Sequence, residues 1–182
     1  MTPDLKKEDL LDTAQSKLFI QSYSKKNIDG VRVVELPNFV GEDGDFTELL
    51  RLENGEVEKF PGFKLAQINR TKVYPGTVKA WHFHYKQDEV WHVMPSSHLL
   101  VGLWDLRKNS NTTGVSTRLG IGGGKASLMY IPRGVAHGYA NFSNAVGEVL
   151  YFVNNKFNLQ EPDELRLPWD SNGSTFWQPA RE

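Results

Sequence analysis

The sequence predicts a mainly β domain, a sandwich or barrel closed by the winding of two sheets, with one helix at its N-terminus. After Gly30, short runs rich in β-branched and aromatic residues follow one another at close intervals. Turn residues separate these runs, and no helical segment falls between them. Five Trp, six Tyr and ten Phe among 182 residues suit a β-rich fold with an aromatic-lined cavity.

The N-terminal helix is predicted over residues 3–22. Apolar residues recur there at three- and four-residue spacing, and Thr2-Pro3 suits a helix start: Leu5, Leu10, Leu11, Ala14 and Leu18. We expect this stripe to be buried against the barrel or a second subunit. The chain then consists of a helical extension, 1–30, and a barrel, 31–182, in a single domain overall.

Ten strands are predicted after the helix, separated by turns at 74–76, 111–114, 122–124 and 132–134 that are rich in Gly and Pro. They lie at 31–36, 46–50, 64–70, 77–83, 89–94, 99–106, 116–121, 127–131, 138–141 and 148–154.

Composition excludes several classes of function. The sequence has no cysteine, which excludes a disulfide framework, a thiolate nucleophile and a cysteine zinc site. A net charge of −1 provides no broad field toward nucleic acid or a membrane. No run approaches the roughly 18 apolar residues of a membrane span, and the N-terminus lacks a signal-peptide pattern. We therefore expect a cytoplasmic protein that binds neither nucleic acid nor a membrane.

Three histidines form the main candidate site. His82 and His84 lie two residues apart on a predicted strand, so their side chains point to the same face. His137 follows the Pro132–Gly134 turn directly. Imidazoles gathered in this way suit acid–base chemistry or metal binding.

These stretches resemble the paired signatures of the cupin superfamily, whose fold is a double-stranded β-helix, or jelly-roll, barrel. Gly76, His82, His84 and Glu89 fill the first signature, and Pro132, Gly134, His137 and Asn141 fill the second. In metal-binding cupins, the residues matching His82, His84, Glu89 and His137 are the ligands. The resemblance thus implies a possible divalent transition metal (Fe, Mn, Ni or Zn).

From about residue 31 to 170, the chain also resembles the dTDP-4-dehydrorhamnose 3,5-epimerase family, a cupin branch. The matching segments include 42–51, 67–69, 76–82, 104–107, 131–139, Tyr151 and 169–170. The resemblance implies an isomerase that removes and returns protons beside the C4 ketone of a 4-keto-6-deoxyhexose nucleotide, requires no cofactor and forms a homodimer. It implies His82 as base and Tyr151 as acid. The residues implied in substrate binding are Arg51, Gln67, Asn69, Lys79, His137 and Tyr139.

The family's aspartate partner for the base has no counterpart in the sequence, and Asp88 and Asp170 are the candidates to orient His82. Two alternatives remain open. In a metal-dependent cupin oxygenase or isomerase, His82 would be a ligand and not a free base. In a non-catalytic sugar-binding cupin, the aromatic side chains would stack on a sugar ring, the candidates being Trp81, Trp91, Trp104 and Tyr139.

Overall fold

A computed structural model describes residues 4–18 and 26–179. Two five-stranded antiparallel sheets face each other, which confirms the mainly β prediction. The first has the order β1-β11-β8-β13-β6 and the second the order β10-β9-β12-β7-β14. The strands are β1 Arg32–Glu35, β2 Phe39–Gly41, β3 Gly44–Phe46, β4 Leu52–Glu53, β5 Glu56–Val57, β6 Gln67–Val73, β7 Val78–Phe83, β8 Glu89–Val93, β9 His98–Asp105, β10 Ser116–Gly122, β11 Ser127–Ile131, β12 Val135–Ala140, β13 Gly147–Val153 and β14 Leu165–Arg166.

The main core lies between the two sheets. Val93, Val149 and Met129 reach it from the first sheet, and Val101 and Leu103 reach it from the second. Alternation along each strand sends these side chains inward. The two sheets of the jelly roll pack together because they bury these apolar side chains between them. Polar side chains line a cavity in another part of the interior.

The predicted N-terminal helix is wrong in its extent. Within residues 4–18 there is a 3₁₀ turn, Lys7–Asp9, and a single α-helical turn, α1, Asp12–Gln15. Leu5 is 78% exposed and Leu11 is 79% exposed, so the apolar stripe is not buried. Because a helix this short gains little without tertiary packing, the spacing of its leucines is not enough to form it. Residue 3 and residues 19–22 lie outside the described residues.

Most predicted strands match within one or two residues, and most exceptions lie at 38–73. In addition, β12 begins at Val135, three residues before the predicted start at 138, and β14 was not predicted. Residues 47–50 form no strand, and the hairpins β2–β3 and β4–β5 were not predicted. β6 begins three residues later than predicted because the apolar segment around Phe60 and Phe63 packs as a turn against β11 and β8. Among the described residues, no helix is long and apolar enough to cross a membrane.

Candidate active site

A cavity of about 380 Å³ lies at one end of the space between the sheets. Its size suits a small-molecule site. Strands β6, β7, β8, β12 and β13 supply its walls. The segment 154–164, here called the strap, connects β13 to β14 and forms a further wall. The chemically distinctive side chains on the cavity are His82, His84, Glu89, Trp91, His137, Tyr139, Tyr151 and Glu164.

The structure brings the three predicted histidines together on this cavity. His82 on β7 and His137 on β12 are register partners on neighbouring strands, and their ring centroids are 6.3 Å apart. His84 follows β7 directly, with its ring centroid 5.5 Å from that of His137. The two-residue side-chain period thus places His82 and His84 on the same side of the sheet.

His82 has the environment of a neutral base. Its Nδ1 lies 3.4 Å from Oε1 of Glu164, while its buried Nε2 has no hydrogen-bond partner among the described residues. Burial, together with the nearby His137, Arg166 and Lys79, lowers the pKa of His82 to about 4. The ring is therefore neutral at neutral pH, and the tautomer with its proton on Nδ1, toward Glu164, carries the lone pair on Nε2.

Tyr151 has the environment of a protonated acid. It extends from β13 of the first sheet, whereas His82 extends from β7 of the second. Its hydroxyl lies 3.0 Å from the hydroxyl of Tyr139. Burial is the main cause that raises the pKa of Tyr151, so the phenol keeps its proton at neutral pH.

His84 and Glu89 form a buried pair in the wall of the cavity. His84 Nε2 lies 3.0 Å from Oε1 of Glu89, and His84 Nδ1 contacts the backbone carbonyl of Asp163. Both ring nitrogens therefore face acceptors, which only the imidazolium satisfies. Burial opposes the charge, but the hydrogen bond to Glu89 raises the pKa of His84. Burial likewise opposes ionisation of Glu89, but His137 and His84 lower the pKa of its carboxyl.

Three of the four predicted metal ligands form one group. Ligand atoms of His84, Glu89 and His137 lie within 4.8 Å of one another, and His82 is outside this group. Two imidazoles and one carboxylate match a known donor set for a divalent transition metal. The base and metal hypotheses therefore no longer require the same side chain, because His82 is not needed as a ligand.

The remaining predicted contact residues are divided between the cavity and the surface. Gln67, Asn69 and Lys79 line the cavity. Gln67 is held in place, since its amide donates to Asn69 at 2.8 Å and its oxygen accepts from the Phe157 backbone at 3.0 Å. Arg51 does not line the cavity, and it pairs with surface carboxylates at Glu48 and Glu58.

Two of the aromatic residues considered for stacking on a sugar do not line the cavity. Trp81 and Trp104 pack with the C-terminal Phe176 and Trp177 in a separate cluster. Trp81 precedes His82, so strand alternation sends it to the opposite face. Trp91 does line the cavity, where its ring makes edge contacts with Tyr139 and Tyr151.

Neither aspartate considered as the partner of His82 is placed beside it. Asp88 binds Arg133 and Asn154 through side-chain hydrogen bonds of 2.8 to 2.9 Å. Asp170 lies exposed in a turn beyond β14. The carboxylate beside His82 is Glu164, which the sequence analysis missed. The polar and apolar residues of Glu164–Leu167 alternate, a pattern that predicts a short half-buried strand. In the structure, β14 lies in this segment and pairs Arg166 with His82.

Comparison with known proteins decides the family. A family model described as dTDP-4-dehydrorhamnose 3,5-epimerase matches residues 25–177. The chain belongs to the dTDP-4-dehydrorhamnose 3,5-epimerase family. It is 39% identical over 149 residues to the spore coat polysaccharide biosynthesis protein SpsL of Bacillus subtilis, covering 82% of this chain and 95% of the relative. It is 29% identical to a probable low-salt glycan biosynthesis epimerase of Haloferax volcanii, covering 79% and 90%.

A solved structure of the same family supports the fold. The Legionella pneumophila dTDP-6-deoxy-D-glucose-3,5-epimerase, in complex with dTDP-4-keto-L-rhamnose, superposes with a TM-score of 0.72 at 20% identity, covering 86% of this chain and 83% of that chain. Membership of this epimerase family makes the chain an isomerase of the sugar-nucleotide 3,5-epimerase type, in a family that works without a cofactor.

Proposed function

We propose that this chain epimerises a 4-keto-6-deoxyhexose nucleotide, with His82 as the base and Tyr151 as the acid. The observation that carries the proposal is that a neutral His82 on one sheet and the protonated phenol of Tyr151 on the other both line one cavity. Inversion at a carbon needs a proton taken from one face and another returned to the opposite face. A base and an acid on opposing sheets meet that requirement.

The proton steps balance without a cofactor. Nε2 of His82 accepts the proton of the carbon beside the C4 ketone, and the C–H electrons shift to the ketone oxygen as an enolate. The hydroxyl of Tyr151 then gives its proton to that carbon from the other face, and the ketone forms again. Glu164, 3.4 Å from Nδ1 of His82, stabilises the imidazolium formed in the first step. After the second step, His82 gives its extra proton to solvent and the Tyr151 phenolate takes one from solvent, which restores both groups.

Charged and polar groups on the cavity suit the rest of such a substrate. Lys79 and Lys156 line it and offer cations to a diphosphate, while Gln67 and Asn69 offer amide groups to the nucleoside or sugar. The Legionella relative holds dTDP-4-keto-L-rhamnose, a ligand of this chemistry. In the proposal, His137 and the ring of Tyr139 contact the sugar. Arg51 stays outside the proposed set for a single chain, because its partners are surface carboxylates.

Hydrogen exchange in D₂O tests the proposal. We expect the wild-type protein to incorporate deuterium into dTDP-4-keto-6-deoxy-D-glucose beside the ketone and to release an epimerised product. His82→Asn should lower both exchange and epimerisation by about 10²- to 10⁴-fold, the usual contribution of a general base. Tyr151→Phe should suppress inversion more than exchange, because abstraction by His82 is left intact.

Two surface variants serve as controls for these substitutions. His98→Asn changes an exposed histidine and Tyr74→Phe an exposed tyrosine, and both should keep the wild-type rates. No deuterium uptake by the intact protein would contradict the proposed function. Full activity of His82→Asn would contradict the role of His82.

The donor group of His84, Glu89 and His137 favours a second candidate, a metal-dependent cupin isomerase or oxygenase. A metal held there would polarise a substrate oxygen as a Lewis acid. Binding requires His84 to give up the Nε2 proton that it shares with Glu89. Elemental analysis of protein purified without chelator separates the candidates. Less than about a tenth of an equivalent is expected for the epimerase, and near one equivalent would favour the metal enzyme.

We also propose a homodimer located in the cytoplasm. The hairpin β2–β3 supports association, because Phe39, Val40 and Phe46 are 64%, 80% and 64% exposed. Exposed apolar side chains grouped in this way suit a protein interface.

A further inference from the structure

The two proton steps give the hydroxyl of Tyr139 no role, although this hydroxyl lies in the site beside the hydroxyl of the acid, Tyr151. Tyr139 is 3% exposed, and it reaches the cavity from β12 of the second sheet. Tyr151 reaches it from β13 of the first sheet. Their hydroxyl oxygens lie 3.0 Å apart. Among the described residues, the Tyr151 hydroxyl has no other side-chain hydrogen-bond partner than Tyr139.

Both rings are fixed by the same neighbour. The Trp91 ring meets Tyr139 at 5.8 Å and Tyr151 at 5.3 Å between centroids, in edge-on contacts. The Trp91 indole N–H is itself bound to Oε2 of Glu89. The distance between the two hydroxyls is therefore set by packing, and a phenylalanine at either position would keep the ring contacts while removing one oxygen.

An acid of this kind must leave its conjugate base in a stable state. When Tyr151 gives its proton to the substrate carbon, a phenolate remains in a buried site, where an unpaired charge is costly. In the structure the Tyr151 O–H donates to the Tyr139 oxygen. A hydroxyl holds one donor and two acceptor positions, so when the Tyr151 O–H turns to the substrate, the Tyr139 O–H can donate to the Tyr151 oxygen in its place. A hydrogen bond to an ionised oxygen is about twice as strong as one between neutral groups.

We propose that Tyr139 is a positioning residue for the acid: once the Tyr151 O–H has turned from Tyr139 to the substrate, the Tyr139 hydroxyl donates to the oxygen of Tyr151 and stabilises the phenolate left after protonation of the substrate carbon. The O–H bond of Tyr151 breaks, a C–H bond forms on the face opposite His82, and the Tyr139 O–H bond stays intact. This inference rests on the proposed function and assigns a second phenol to its acid side.

Tyr139→Phe tests the inference through the partition between exchange and inversion. In D₂O with dTDP-4-keto-6-deoxy-D-glucose, the base-side exchange rate and KM should stay within about twofold of wild type. The rate of inversion should fall about 10- to 100-fold, the worth of one hydrogen bond to a charged group. The ratio of exchanged but uninverted substrate to epimer should rise accordingly. General damage to the fold would lower both rates together and leave this ratio unchanged.

Two variants serve as controls. Tyr151→Phe removes the acid itself, and Tyr74→Phe removes an exposed phenol away from the site. If the wild-type protein exchanges and inverts the substrate but Tyr139→Phe leaves the ratio of exchanged substrate to epimer unchanged, this inference alone is overturned. Absence of exchange in the wild-type protein would overturn the proposed function as well. A parallel loss of both rates in a folded Tyr139→Phe, shown by wild-type denaturant unfolding, would also overturn the role of Tyr139.

Discussion

At the scale of single residues, the proposed chemistry depends on which side chains of the site are charged and which are neutral. His84 and Glu89 hold a charged pair deep in the barrel, whereas His137 is buried and has its pKa lowered chiefly by burial. His82 stays neutral beside Glu164. Burial opposes ionisation of Glu164, but its hydrogen bond to Arg166 lowers the pKa of the carboxyl, so it is negative at neutral pH. The negative partner then stabilises His82 when it gains the substrate proton.

This division predicts the pH dependence of the reaction. With a pKa of about 4, His82 is deprotonated over the neutral range, so kcat/KM should rise with pH through about 4 and then level off. Glu164 is the carboxylate that raises the pKa of His82 against the lowering effects. Glu164→Gln should therefore move the rise to lower pH and reduce kcat at pH 7 by about 10- to 100-fold.

A pH–rate profile of Glu164→Gln, compared with Glu161→Gln, makes this measurement. Glu161 pairs with Lys86 on the surface, and its change should leave the profile unaltered. A profile of Glu164→Gln with the wild-type rise and rate would remove Glu164 from the proposed mechanism.

At the scale of elements, the sequence predicted the strand of His82 and the strand beside His137, but not the strap. The strands from β7 to β13 are short apolar runs separated by turns, so His82, His84 and Tyr151 could be placed on one interior from the sequence, and His137 from its position after the Pro132–Gly134 turn. Glu164 could not, because its position depends on a two-residue strand, β14, which pairs with β7 after a polar segment of eleven residues, 154–164.

The strap is held by contacts that no local pattern reveals. Both carboxylate oxygens of Asp163 accept from backbone N–H groups of Tyr85, Lys86 and Gln87, at 2.8 to 2.9 Å. The carbonyl of the same residue binds His84. These contacts join positions 76 to 79 residues apart, and they place Glu164 next to His82. The N-terminal helix failed for the opposite reason, since a clear local pattern had no surface to pack against.

At the scale of the whole molecule, two packed sheets leave polar chemistry at one end and apolar side chains on an outlying hairpin. In β2–β3, Phe39 and Phe46 are cross-strand partners, and both are mostly exposed. A two-stranded hairpin is marginal by itself, so cover from a second copy would both stabilise the hairpin and bury its rings.

Measurement of mass in solution tests the homodimer. By size-exclusion chromatography with light scattering, we expect twice the mass of the 20.7 kDa chain at micromolar concentration. The double variant Phe39→Ser and Phe46→Ser should shift the protein toward the monomer, because each buried aromatic ring contributes about 1.5 to 3 kcal/mol to association. Phe142→Ser, which changes another partly exposed ring, should remain dimeric. A monomeric wild-type protein would contradict the homodimer, and a double variant that stays dimeric would place the interface away from the hairpin.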